Sequence, residues 1–127
     1  MRKIRHPAED ICQIMAKIYE NKLTTVSGGN LSVQDQEGNI WVSPSGGDKA
    51  CLERTDVCRI LENGEVAGKT QPSLEFKIHK GIYERRSDIR AVLHAHSPAL
   101  VAMSIMHRLP DIRILPDLSV MAGKIGL

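Results

Sequence analysis

His94 and His96 stand one residue apart in Ala-Val-Leu-His-Ala-His, directly after an apolar run. Residues i and i+2 of a β-strand point to the same face, so two such imidazoles can reach one ion. A catalytic zinc centre typically takes three protein ligands and keeps a further position open, which leaves the pair one donor short. The remaining histidines are His6, His79 and His107. His79 follows Glu75 by four residues, the spacing of an ordinary contact on a helix face. His107 falls at a helix end, where the macrodipole favours an imidazolium. None of the three is persuasive as a third ligand, and two half-buried strand histidines stay open as the plain alternative.

Glu75 lies in Pro72-Ser73-Leu74-Glu75, where Pro72 and Ser73 suit the start of a helix. A carboxylate in that first turn complements the dipole. The same carboxylate could act as an acid/base beside a metal, with Ser73 and the helix amides holding an anion. Two Gly/Ser stretches pose a similar choice. Ser27-Gly28-Gly29-Asn30-Leu31-Ser32 and Ser43-Pro44-Ser45-Gly46-Gly47 let the backbone approach a phosphate, yet each is also plain turn chemistry. Neither matches the Walker A or dinucleotide fingerprint.

The elements that would position these groups follow from periodicity. Pro7, with Glu9 and Asp10, opens a helix to about Asn21 whose buried face is Ala8, Ile11, Cys12, Met15, Ile18 and Tyr19. Residues 31–33 and 40–43 read as a hairpin with Gly38 in its loop, and 57–60 with 65–67 as a second hairpin around Asn63-Gly64. Pro72 starts a helix to about Arg86, with Leu74, Ile78 and Ile82 on its buried stripe. Residues 89–96 form a strand, 98–107 a short helix, and 112–115 a further strand after Pro110. No repeat, low-complexity segment or linker interrupts the chain, so a single domain of mixed α and β is expected over residues 1–127.

Composition narrows the function classes. With 42% hydrophobic and 25% charged residues the chain reads as an ordinary globular domain. A net charge of +2 and 3% aromatics give no support for nucleic-acid binding. The densest basic group, Arg85, Arg86 and Arg90, is interrupted by Glu84 and Asp88 and reads as a solvated helix end. Cys12, Cys51 and Cys58 are odd in number without CxxC spacing, which suits reduced thiols in the cytoplasm. The basic N-terminus lacks a following apolar segment of the signal-peptide kind, and no apolar run approaches the roughly 18 residues of a membrane span.

In chain order, Gly28-Gly29-Asn30-Leu31-Ser32, Ser43-Pro44-Ser45-Gly46, Pro72-Ser73-x-Glu75 and His94-x-His96 form a set more specific than its parts. On that set the chain resembles the class II aldolase/adducin family, from about Ile11 to its end. The resemblance implies an α/β fold in three layers, α/β/α, around a mixed, mostly antiparallel central sheet. It implies a divalent metal, commonly zinc, held by His94, His96 and a later histidine, with Glu75 as the acid/base that can also approach the metal. By the same matching, Asn30, Ser45, Gly46 and Ser73 fall on positions that hold the substrate's phosphate. The implied activity is that of an aldehyde-lyase cleaving a sugar phosphate such as a ketose 1-phosphate, in a homotetramer with sites between subunits. That chemistry is coherent, since zinc on the oxygens of an enediolate stabilises its charge and a carboxylate with a pKa raised by burial moves the proton.

Two departures qualify the resemblance. Leu74 stands where the family commonly has a second serine, which removes one hydroxyl from the phosphate grip. The chain also stops on apolar residues after Ser119-Val120-Met121. It reads as cut short of the part that supplies the third histidine, so weak metal binding and little turnover are expected of it alone. An epimerase, dehydratase or decarboxylase of the same fold is a further possibility, although Glu75 favours aldolase over epimerase. An adducin-like binding domain is the non-catalytic alternative. Retention of His94, His96 and Glu75 argues for the enzyme.

Overall fold

Pro7 opens helix α1 (Pro7–Glu20), with Glu9 and Asp10 at the positive end of its dipole. The computed structural model describes residues 6–114, 116–122 and 125–126. His6 is the N-cap: its Nδ1 accepts the Ala8 amide at 3.2 Å, while its ring meets Trp41 edge-on with centroids 4.7 Å apart. Ala8, Ile11, Met15 and Ile18 follow the helical period and are buried. They pack with Leu31 and Val57, flanked by Val33 and Trp41. Tyr19, placed by the sequence on this face, is 38% exposed.

Two compact units divide the described residues, one up to Ala95 and one from His96. The first holds a five-stranded sheet in the order β4-β3-β2-β1-β5. Its strands are β1 (Asn30–Gln34), β2 (Ile40–Val42), β3 (Cys58–Ile60), β4 (Val66–Ala67) and β5 (Ala91–His94). Every pairing is antiparallel. The alternation of strand residues separates two faces. Leu31, Val33 and Trp41 turn toward α1, whereas Val42, Cys58 and Ile60 form a second cluster against Phe76 of helix α2 (Phe76–Arg85). The result is the expected helix–sheet–helix layering, with a sheet that is antiparallel throughout.

Both hairpins form as their turn chemistry dictates. Asn63 Oδ1 accepts the Glu65 amide, and Gly64 takes the positive φ of 87° that its type of turn needs. In the β1–β2 loop Asp35 collects four donors. Oδ1 accepts the Glu37 and Asn39 amides at 3.0 and 2.9 Å, and Oδ2 accepts Asn39 Nδ2 and Trp41 Nε1 at 3.1 and 3.0 Å.

Three sequence expectations need correction. The helix expected from Pro72 begins at Phe76, because Pro72 forms an isolated antiparallel bridge with Pro44 and spends the 71–73 backbone on pairing. The stripe expected to be buried is not: Leu74 is 88% and Ile78 63% exposed, and His79 and Tyr83 are buried in their place. The strand expected over 89–96 is limited to Ala91–His94, since Ile89 closes a turn onto Arg86.

The second unit contains α3 (Pro98–Ile105), a 3-10 turn (Ile112–Ile114) and α4 (Pro116–Ala122). A strand was expected at 112–115. Over 112–114 Asp111 instead accepts the Arg113 amide and guanidinium, a local alternative to pairing; Leu115 lies outside the described residues. Ile105, Ile114, Val120 and Met121 are exposed. Among the described residues no helix is long and apolar enough to cross a membrane.

Asp35 gives a test of the sheet's first turn. Burial alone would raise its pKa, but the donors from Trp41, Asn39 and the backbone outweigh that and lower it. A carboxyl whose folded pKa is depressed stabilises above its unfolded pKa, near 4, and loses that contribution as pH falls through the folded value. Asp35→Ala is expected to lower the unfolding free energy by about 1–3 kcal/mol at pH 7. The deficit should shrink in urea titrations at about pH 3; an equal deficit at both pH values would contradict the assignment.

Candidate functional site

The register of β1 against β5 sets Asn30 directly opposite His94. Glu75, at the N-cap of α2, reaches into the same place. His94 Nδ1 lies 2.5 Å from Glu75 Oε2, and Asn30 Nδ2 donates a short hydrogen bond to the same oxygen. Asn30 Nδ2 is also 3.5 Å from His94 Nδ1. Asn30 is 3% exposed, and its Oδ1 is buried with no hydrogen-bond partner among the described residues. The Glu75 and His94 side chains are 42% and 39% exposed, so the pair is open to a ligand.

A carboxylate can only accept, so the proton between Glu75 and His94 belongs to Nδ1. In the neutral ring this makes Nε2 the lone-pair nitrogen. A carboxylate that fixes an imidazole in this tautomer is the usual partner of a metal-ligating histidine. The oriented Nε2 of His94 is a donor that suits a divalent cation such as zinc.

Gly29 makes this approach possible. Its φ is +67°, and a Cβ there would stand 2.8 Å from the His94 carbonyl oxygen and 2.9 Å from Thr24 Oγ1. A side chain would therefore force β5 away from β1 at the residue that carries the imidazole.

The bridge between Pro44 and Pro72 brings the two other predicted segments alongside one another. The Ser45 amide donates to Gln71 O at 2.9 Å, and the Ser73 amide to Ser43 O at 3.2 Å. Ser45, Gly46 and Ser73 thus sit on adjoining strands of backbone. Ser73 Oγ accepts the Glu75 amide at 3.4 Å, which ties this pair of segments to the carboxylate. Gly46 has φ +66° and open space where a side chain would stand.

Two features were not read from the sequence. Ser32 Oγ lies 2.7 Å from both His79 Nδ1 and Tyr83 OH, all three residues being buried. His79 is thus bound to Ser32, in place of the helix-face contact with Glu75 that the spacing suggests. Burial pushes its pKa down, the His94 charge adds to this, and Glu75 opposes it. The second feature is Lys49, buried with its ammonium on the carbonyls of Pro44 and Gly46. A lone lysine in Gly-Gly-Asp-Lys-Ala-Cys carries no periodic signal of burial.

The structure therefore joins Glu75, Asn30 and His94 in one cluster, and Ser45, Gly46 and Ser73 in the segments beside it. His96 is exposed and is the first residue of the second unit, beyond the end of β5. Among the described residues no three His, Cys, Asp or Glu side chains are grouped to hold a metal ion.

Comparison with known proteins bears on this arrangement. The family model for the Class II Aldolase and Adducin N-terminal domain matches residues 9–126. The L-fuculose phosphate aldolase of Methanocaldococcus jannaschii is 32% identical over 115 residues, covering 90% of this chain and 61% of that protein. The 5-deoxy-D-ribulose 1-phosphate aldolase of Bacillus thuringiensis serovar kurstaki is 36% identical over 110 residues, covering 84% and 52%. A solved L-fuculose 1-phosphate aldolase superposes with a TM-score of 0.76 at 32% identity, over 83% of this chain and 51% of that one. The chain spans about half to three-fifths of the length of these relatives.

Gly29→Ala tests the close approach. The substitution is expected to cost about 1–3 kcal/mol from the left-handed backbone alone, and to shift the amide resonances of Asn30 and His94 more than those of the β3–β4 hairpin. Unchanged stability and unchanged β5 resonances would contradict the contact.

Proposed function

Because the chain belongs to the class II aldolase and adducin N-terminal domain family, we propose that it carries the catalytic carboxylate and part of the metal and phosphate sites of a sugar-phosphate aldolase. The observation that carries this reading is the meeting of Glu75 with His94 and Asn30, at the edge of the Ser45–Gly46 and Ser73 segments. The names of the similar proteins support a phosphorylated ketose as the substrate class.

The roles follow from the groups. His94 would contribute Nε2 to the divalent cation, for which we take zinc, and Glu75 would hold that ring through Nδ1. The cation, when bound, supplies charge stabilisation to the ketone and hydroxyl oxygens of the substrate. Ser45, Gly46, Ser73 and the amide of Asn30 bind the phosphate and orient the bond to be broken. As that bond breaks, Glu75 takes the hydroxyl proton of the half that leaves as an aldehyde, and the electron pair of the bond stays with the ketone half. Glu75 returns a proton to the carbon left electron-rich, and takes that proton away in the reverse direction. Asn30 and His94 donate to its Oε2 and hold the carboxylate in place. Leu74, exposed beside Ser73, contributes no hydroxyl to the phosphate. The reading includes homotetrameric assembly and a cytoplasmic setting, in which Cys12, Cys51 and Cys58, free in the structure, stay reduced.

The test, made on the whole gene product because little turnover is expected of residues 1–127 alone, is cleavage of L-fuculose 1-phosphate and 5-deoxyribulose 1-phosphate with zinc present, read as released dihydroxyacetone phosphate. Glu75→Gln is expected to lower kcat by about 100-fold or more with zinc content unchanged. His94→Ala is expected to lower both zinc content and rate. Wild-type turnover in Glu75→Gln would remove Glu75 from the proton-transfer role. Protein that folds but takes up no zinc would move the chain to the non-catalytic, adducin-like reading.

A further inference from the structure

Lys49 is the largest side chain withdrawn from solvent among the described residues, at 1% exposure. Its Nζ donates to Pro44 O at 2.8 Å and to Gly46 O at 2.6 Å. Its own amide donates to Val26 O at 2.8 Å, pinning the backbone beneath the loop. An ammonium has three donors and no acceptor, and two of the three go to one short loop. Burial pushes its pKa down. Asp48, next in sequence, turns its Oδ1 to the Ala50 amide.

Buried charges are ordinarily paired with an opposite charge, because carbonyl dipoles offset only part of the lost hydration. Among the described residues no carboxylate pairs with Lys49, and the loop it holds contains Ser45 and Gly46. The geometry of that loop also has a direction. A trans peptide sets C=O and N–H on opposite sides. With the Pro44 carbonyl turned to Lys49, the Ser45 N–H points away, and it donates to Gln71 O. With the Gly46 carbonyl turned to Lys49, the Gly47 N–H likewise points away from the ammonium. Gly46 and Gly47 reach this arrangement with φ of 66° and 74°, and the space above Gly46 is open.

We propose that Lys49 is a positioning residue for anion binding: its buried ammonium holds the Ser45–Gly46 loop and supplies the positive charge that matches a phosphate dianion there. The anion is the missing counter-charge of Lys49, acting through the loop without touching the ammonium. This inference rests on the reading that Ser45, Gly46 and Ser73 hold the phosphate of the substrate. Lys49 then sets preference for phosphorylated over neutral substrates, a role that a purely structural lysine would not have.

The experiment titrates inorganic phosphate into the 127-residue chain by calorimetry, for the wild type, Lys49→Met and Ser73→Ala. Lys49→Met keeps the stem and removes the charge. It also leaves the Pro44 and Gly46 carbonyls without their donor, so its Tm is expected to fall modestly while the chain stays folded and phosphate affinity falls at least tenfold. A Lys49→Met chain that binds phosphate within twofold of wild type, while Ser73→Ala binds it more weakly, overturns the role of Lys49 and leaves the phosphate reading intact. No phosphate binding by the wild type overturns both. Should Lys49→Met fail to fold, the wild type decides: the 15Nζ resonance of Lys49 is expected to shift with phosphate along the calorimetric curve. A resonance indifferent to saturating phosphate would overturn the proposal.

Discussion

The antiparallel register of β1 on β5 is the constraint on which the rest of the site depends. Asn30 lies opposite His94, and Ser32 opposite Val92, on the face of the sheet that α2 covers. A slip of one residue would turn Asn30 and His94 to opposite faces, because side chains alternate along a strand. Gly29 lets the two strands close at this point, since any Cβ there would strike the His94 carbonyl. Glu75 then needs only to be delivered to a place already prepared. The Pro44–Pro72 bridge does this by ending its backbone pairing one turn short of α2.

The two faces of the sheet divide stability from chemistry. Against α1 the contacts are almost wholly apolar: Ile11, Met15 and Ile18 on the helix, Leu31 and Val57 below. Against α2 the interior is polar near the site, with Asn30, Ser32, Ser43 and His79 all buried. Such groups are costly unless their hydrogen bonds are satisfied. Ser32 answers two of them at once by joining His79 and Tyr83, and Ser43 Oγ accepts the Leu31 amide. Polar anchoring of α2 fixes its rotation about its own axis, which an apolar face would leave more permissive. The direction of the Glu75 carboxylate follows from that rotation.

How far the sequence reveals this depends on the kind of signal. Pro7 with an apolar stripe, and Asn63-Gly64 between short strands, act locally, and the structure follows them. Pro72 is also a local signal, yet its effect is decided by a partner segment 28 residues away, so the helix starts later than the rule suggests. The stripe of Leu74, Ile78 and Ile82 misleads for a related reason. Hydrophobic periodicity assumes an apolar surface to cover, and α2 covers Ser32. His79 and Tyr83, four residues apart, would mark the true face only if the polarity of β1 were already known. At the site, Asn30, Glu75, His94 and Ser73 are legible as motif residues. Their meeting is a fact of register that no local pattern contains. Lys49 was illegible, because charge predicts exposure nearly everywhere else.

The central claim is that Glu75 and His94 form a divalent-cation site oriented through Nδ1, not a simple ion pair on a sheet edge. It is tested most directly by titrating zinc into the wild-type chain and following the imidazole 15N signals of its five histidines. The account predicts saturation at one equivalent, with the Nε2 signal of His94 moving and those of His6 and His107 unmoved. Zinc that shifts His6 and His107 as much as His94, or that leaves His94 unchanged, would contradict it.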